Sequence, residues 1–342
     1  FENSFKKNRE QLFAVCREVI HEAEIKAGAE TKEMIINVSG SALRGAANIF
    51  HFSREKPDEK IDLLELKNII QKAQWKIFDK IRKNLSEEIG LAETEVKLIS
   101  GVLLEARVDG CKVVNPIGFC GKDLSFSIFN TYCLLDYWAG LRHLAKALNR
   151  KILMVASGLQ ALAQWLNYKD CVLIDFGGRA TDVALIRSGI LEGVKSMNIG
   201  GQSFTKRLMT DLGLAAAEAE EMKIKYSQGE VSSQAKRKIT EFFRKDLRIW
   251  LKGLEVALSE FSAERPLPGL LVLGGGGSLL PGVKRNLEAV SWPGLPLSQP
   301  FKVVRLKNDD MIEALIDSGL NLKNKKSVCQ AILDRAIHLI QV

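Results

Sequence analysis

The residues with the most chemical potential lie in the stretch "CVLIDFGGRATDVALIRSGI", residues 171–190. An apolar run ends in Asp175, the chain turns through Gly177 and Gly178, and a second apolar run resumes after Asp182. Glycine lets the backbone approach a ligand because no Cβ intervenes, and successive backbone N–H groups in such a turn form an anion-binding nest. Asp175 cannot favour phosphate directly. It would act through Mg²⁺, which takes one or two carboxylates together with waters and phosphate oxygens, and this makes Asp175 the candidate metal-linked residue. An ordinary hairpin with glycine in its turn is the competing reading.

Two later segments carry compatible chemistry. In "MNIGGQSFTKRLMTDLGLAAAEAEEMK", Gly200 and Gly201 close a strand, a helix is expected from near Ser203, and Glu220 and Lys223 stand three apart on one helical face. Such a pair can grip a ribose or remain a solvated ion pair. In "VLGGGGSLLPG" four glycines, Gly274 to Gly277, follow a buried strand. The spacing is neither G-x-G-x-x-G nor a P-loop ending in G-K-[ST]. Two of these glycines can offer a flat platform for an adenine ring, or all four can serve a tight strand-to-helix turn. No catalytic residue is legible. The four histidines fall in separate segments without an H-x-x-H arrangement, and neither a G-x-S-x-G elbow nor a general base near the hairpin can be read.

The elements that must position these residues alternate along the chain. Helical spacing covers residues 5–27, 63–85, 134–148 and 158–167, and a long helical region spans 204–261. "EMIINVSG" and "KILMVAS" read as strands, and residues 96–130 as strands broken by Asp109-Gly110, Pro116 to Gly118 and Gly121. "CVLIDFG", "TDVALIRSG" and "ILEGVKSMNIGG" follow as three strands with short turns, and the chain closes with a strand near 301–306 and a helix from Ser327. Strands alternating with helices indicate an open α/β sheet.

At 342 residues and 46% hydrophobic content, the chain can bury about two domains' worth of core. The longest uncharged run, 152–168, is too short and polar for a membrane span. Six cysteines without a C-x-x-C pair argue against zinc knuckles and a secreted disulfide framework, so a reducing cytoplasm is expected. Net charge is +8, but Lys and Arg are scattered among acids, with short clusters only at 236–238 and 323–326, and no nucleic-acid stripe is present. Phe1 opens the chain with no signal-peptide pattern, and the sequence is expected to begin inside a longer frame.

Taken in order, the three glycine-centred turns resemble the second phosphate loop, the ribose segment and the adenosine loop of the actin-like ATPase superfamily. Within it the chain most resembles the cell-division FtsA family, with the type IV pilus PilM family second. The diagnostic runs are "VDGCKVVNPIGFCGKDLSFSI", "NIGGQSFTKRL" and "AEEMKIKY". The resemblance implies an α/β, ribonuclease H-like fold of two lobes around a nucleotide cleft. The first lobe would hold residues 1–47 and 132–168, with an inserted FtsA-type α+β subdomain at 48–131. The second would hold 169–213, a helical subdomain at 214–266, and 267–342 with the closing helix.

Carried over by position, the resemblance assigns Asp175, Gly177 and Gly178 to the phosphates and Mg²⁺ waters, and Gly200 and Gly201 to phosphates or ribose. It assigns Glu220 and Lys223 to ribose and adenine, and Gly275 with Gly276 to the adenine plane. ATP and Mg²⁺ are the implied cofactors. Three features depart from the pattern. The family's first phosphate loop, D-x-G-[TS]-x-x-[KV], would precede the first helix and lie upstream of this sequence. At the hairpin tip Arg179 and Ala180 replace Gly and Thr. Arg179 either grips phosphate bidentately or points to solvent, while Thr181, next in line and counted with Arg179 among the nucleotide-binding candidates, keeps a hydroxyl that alternates to the other strand face. The connection after Tyr226 is also short.

The implied function is an ATP-binding scaffold with slow or absent hydrolysis, closing its lobes on nucleotide to drive self-association into filaments or docking to an FtsZ-like or pilus-assembly protein. A nucleotide-free interaction protein and a phosphotransferase or chaperone-like ATPase are the alternatives. Membrane contact is expected only indirectly or through segments outside this sequence, placing the protein in the cytoplasm or peripherally at the membrane's inner face.

Overall fold

The computed structural model describes residues 9–38, 43–89, 96–166, 168–261 and 265–306. The closing helix expected from Ser327 and the basic cluster at 323–326 lie outside these residues. The first half comprises α1 (Arg9–Ala27), β1 (Glu33–Val38), β2 (Leu43–Ser53), α2 (Leu63–Ile89), β3 (Val96–Val108), β4 (Cys111–Val113), β5 (Asp123–Leu134), α3 (Leu135–Ala147), β6 (Lys151–Ser157) and α4 (Gly158–Leu166). The second half comprises β7 (Cys171–Phe176), β8 (Thr181–Arg187), β9 (Ile190–Met197), α5 (Gly201–Leu212), α6 (Ala216–Gln228), α7 (Ser233–Ser259), β10 (Leu270–Gly274), a 3₁₀ turn (Gly276–Leu279), α8 (Val283–Ala289) and β11 (Lys302–Arg305).

Among the described residues one sheet runs β11-β10-β7-β8-β9-β2-β5-β3-β4 and a second pairs β1 with β6 in parallel. The first five strands form an α/β unit. β8 lies antiparallel to β7 and β9, whereas β10 and β11 run parallel to β7 after the crossover through α5, α6 and α7. The central strands are buried on both faces, as expected where helices cover each side. Alternation sends Val172, Ile174, Phe176, Val183 and Leu185 into the core shared with α5 to α7, and Cys171, Leu173, Ala184 and Ile186 into the core shared with Leu159 and Leu162 of α4.

The other four strands form an antiparallel unit against α2. β2 pairs β5 from Leu43↔Cys133 to Ser53↔Asp123 and, among the described residues, joins the α/β unit through Gly45↔Val194 and Ala46↔Gly193. Gly45 is required there, because a Cβ would lie 2.4 Å from the Phe129 ring. The strands of this antiparallel unit run from the start of β2 at Leu43 to the end of β5 at Leu134. Buried Arg54 anchors it, donating from Nε and Nη2 to Glu65 at 2.7 and 2.8 Å and from Nη1 to the carbonyls of Glu59 and Gly121. The span read as one helical region is three helices, separated by Gly213 and Gly229, both left-handed C-caps.

Candidate functional site

β7 and β8 pair through Phe176↔Thr181, leaving Gly177, Gly178, Arg179 and Ala180 as the tip. The tip closes on itself, with the Gly177 amide donating to the Asp175 carbonyl at 3.0 Å, and then seats on the start of α5. The Gly201 amide donates to the Gly177 carbonyl at 2.9 Å, and the Gln202 amide donates to the Gly178 carbonyl at 2.7 Å. Two of the otherwise orphaned amides of the helix N-terminus are thereby satisfied. The seat is too close for a side chain: a Cβ on Gly200 would lie 2.4 Å from the Gly178 oxygen. Gly200 is extended, with φ −146° and ψ −171°, so close approach alone demands glycine there.

Gly200 and Gly201 are both buried, and the Gly201 amide is already committed to the hairpin. Both glycines hold the tip in position. Thr181 is the first residue of β8 and is buried. Its hydroxyl donates to the Ile199 carbonyl at 2.7 Å and accepts from the Trp250 indole at 2.9 Å, inside the core and away from the tip. Trp250 also stacks on Phe176 at 4.5 Å, which packs the strand end against α7.

The adenosine-loop glycines meet the same strand end. Gly274 is in register with Asp175 across the parallel β7–β10 pair. Gly275 has φ +81°, and a Cβ there would stand 2.4 Å from Asp175 Oδ1 and 2.5 Å from the Phe176 carbonyl, so both conformation and space require glycine. A Cβ on Gly277 would enter the Phe176 ring, whereas exposed Gly276 has nothing within 4 Å and faces open space. Gly178 is also exposed with open space around it, and Arg179 is exposed and forms no ion pair with a described carboxylate.

Glu220 and Lys223 are joined by a residue outside the sequence-based set. Lys223 Nζ donates to Glu220 Oε2 at 2.7 Å, to Thr205 Oγ1 at 2.9 Å and to the Gly201 carbonyl at 3.3 Å, while Thr205 Oγ1 donates to Glu220 Oε2 at 2.6 Å. The pair is thus tied to the first turn of α5 beside the hairpin seat. Partial burial pushes the Glu220 carboxyl up, but the hydrogen bonds from Lys223 and Thr205 and the Lys223 charge outweigh it and hold the group below its ordinary value. The signal for Thr205 is its place in "GGQSFT", four residues after Gly201, one helical turn along the same face.

A strand-end aspartate, an open-edged glycine tip, an exposed glycine shelf and a half-buried Glu–Lys pair therefore surround the carboxyl ends of parallel strands β7 and β10, the edge where open α/β sheets bind ligands. The residues suit a Mg²⁺-nucleotide: Asp175 supplies a carboxylate for a water-rich cation, and the spaces at Gly178 and Gly276 admit a ligand that a Cβ would obstruct. Elsewhere, burial pushes the Cys171 thiol up to about 12 and leaves it inert.

A solved PilM-PilN type IV pilus biogenesis complex aligns over 95% of this chain and 84% of its own, with TM-score 0.58 at 16% identity. The chain has the actin-like ATPase fold. The family model for cell division protein FtsA matches residues 172–321 of this chain, spanning the hairpin, the α5–α6 segment and the glycine turn. The ethanolamine utilization protein EutJ from Carboxydothermus hydrogenoformans aligns over 47% of this chain and 54% of its own at 19% identity, with TM-score 0.36, too low to bear on the site. No curated protein matches the sequence.

Proposed function

We propose that the protein is a Mg-ATP-binding scaffold of the FtsA type, in which nucleotide held at the hairpin favours closure around the site and promotes self-association or partner docking. The observation that carries the reading is the convergence on one strand end of three sequence-distant glycine segments, fixed by the Gly201–Gly177 and Gln202–Gly178 hydrogen bonds and by the contact of Gly275 with Asp175. In this reading the tip amides and Arg179 take the phosphates, and Asp175 holds the Mg²⁺ waters. Glu220 and Lys223 fix the ribose and the edge of the base, and the base lies on the Gly275–Gly276 shelf.

Hydrolysis is slow or absent in this proposal. Binding requires positioned donors and a cation, whereas turnover also requires a group that aligns an attacking water. Bidentate Arg179 replaces the hydroxyl that relatives place at the tip, at comparable strength. A PilM-like role in pilus assembly is the second reading, favoured by the alignment over nearly the whole chain and by the short link from Gln228 to Ser233 between α6 and α7. Calorimetric titration with Mg-ATP tests the shared core of both readings. Saturable one-to-one binding that weakens on Asp175→Asn supports it, and absence of heat at millimolar nucleotide overturns it.

A further inference from the structure

α7 has two faces of different kind. Its inner side buries Ile239, Phe243, Leu247, Trp250, Leu254 and Leu258. Its outer side presents Arg237, Lys238, Arg244, Lys245 and Arg248, all exposed, and none forms an ion pair with a described carboxylate. At the helical repeat, Arg237, Arg244 and Arg248 fall within about 40° of one another, with Lys245 and Lys238 on one flank. Exposed Glu241 stands among them, and Lys252 is held by Glu255 at 2.6 Å, so the row sets five cations against one carboxylate. The same flank carries two large apolar side chains in water, Ile249 at 56% exposure and Val256 at 58%, seven residues apart.

We propose that this outer face of α7 is an adsorption surface for an anionic lipid bilayer. Helix amphipathicity explains the inner face but does not require uncompensated arginines on the outer one, where like charges repel. The five cations span about 16 Å of helix, from residue 237 to residue 248. A plane of anionic headgroups can meet exposed cations spread along one helix face together, and the two exposed apolar side chains beside them suit a lipid interface better than an acidic peptide. Ile249 and Val256 lie at the flank, where shallow insertion would remove them from water. Trp250 points to the opposite side of the helix, towards Phe176, so adsorption leaves the phosphate hairpin accessible.

Each cation near an anionic surface strengthens partitioning by about five-fold at low salt. The test is co-sedimentation of the whole chain with vesicles of equal parts phosphatidylcholine and phosphatidylglycerol, against pure phosphatidylcholine. Wild-type protein binds the anionic vesicles only and is released by salt. The triple variant R237Q/R244Q/R248Q, with unchanged circular dichroism and thermal midpoint, partitions about 100-fold less. A control triple with the same loss of charge on another exposed surface, K32Q/R142Q/K146Q, binds nearly as wild type. Equal losses in the two triples would reduce the effect to net charge and overturn the assignment. Absence of wild-type binding, or retention on immobilised polyglutamate without vesicle binding, would overturn it too.

Discussion

Replacing Gly200 with alanine inserts one methyl group between the start of α5 and the hairpin tip. The new Cβ would sit 2.4 Å from the Gly178 oxygen, 2.7 Å from the Gly178 carbonyl carbon and 2.8 Å from the Arg179 carbonyl carbon, all backbone atoms. Ordinary contact begins near 3.4 Å, so tip and helix must part by about 1 Å. That displacement stretches the 2.9 Å Gly201–Gly177 bond and the 2.7 Å Gln202–Gly178 bond beyond the N–H···O range. Two lost backbone hydrogen bonds cost roughly 1–3 kcal/mol. Alanine returns about 0.4–1 kcal/mol by restricting the unfolded chain, because the extended Gly200 backbone accepts it without strain. The net loss is about 1–2 kcal/mol in urea unfolding, and the displaced tip weakens Mg-ATP binding by about ten-fold in calorimetry. Gly276→Ala is the counterpart: with nothing within 4 Å the fold is unaffected, yet the methyl group stands on the shelf proposed for the base, so affinity falls without a change in stability. Wild-type affinity in Gly200→Ala would refute the claim that the seat on α5 shapes the phosphate cradle.

Further outcomes are expected at neighbouring residues. Thr181→Val strands the Ile199 carbonyl and the Trp250 indole and costs roughly 2–4 kcal/mol in urea, with Mg-ATP affinity of the folded protein unchanged and Thr181→Ser close to wild type. Weakened binding without destabilisation would return Thr181 to the ligand. Arg179→Ala is expected to lower Mg-ATP affinity by about ten-fold while leaving the thermal midpoint in place, because the side chain is exposed and forms no ion pair with a described carboxylate; unchanged affinity would place the guanidinium in solvent. Glu220 titrates below its ordinary 4.5 in the folded state, so its contribution is complete above that value and lost as pH falls through the lower folded value. Wild-type thermal stability should therefore fall more steeply than that of Glu220→Gln on acidification below about pH 5, and identical slopes would exclude the network as a stabilising element.

Strongly patterned elements were legible in the sequence. β7 and β8 are continuous apolar runs because helices cover both sheet faces, and the change to helical spacing after Gly201 marked the α5–α7 layer. β2 was not, because "LRGAANIFHFS" carries the small residues Gly45, Ala46 and Ala47 near its start and so shows no hydrophobic alternation there, and the absence of a side chain at Gly45 serves the Phe129 ring. The glycine segments themselves were readable, but which of their residues the fold packs against was not. Period-2 alternation separated the Thr181 hydroxyl from the tip face, while its partners, Ile199 and Trp250, lie 18 and 69 residues away. Gly200 and Gly276 look alike in sequence. One is closed in by backbone and the other faces open space, a distinction that exists only once α5 is docked on the hairpin.

Direct titration of the protein with Mg-ATP tests the central claim, with Asp175→Asn and Gly200→Ala measured alongside. The proposed scaffold gives saturable one-to-one binding that depends on Mg²⁺ and weakens in both variants. An isotherm without saturable heat at millimolar Mg-ATP, from protein whose unfolding transition is intact, would contradict it and leave the hairpin as a structural remnant on an actin-like frame.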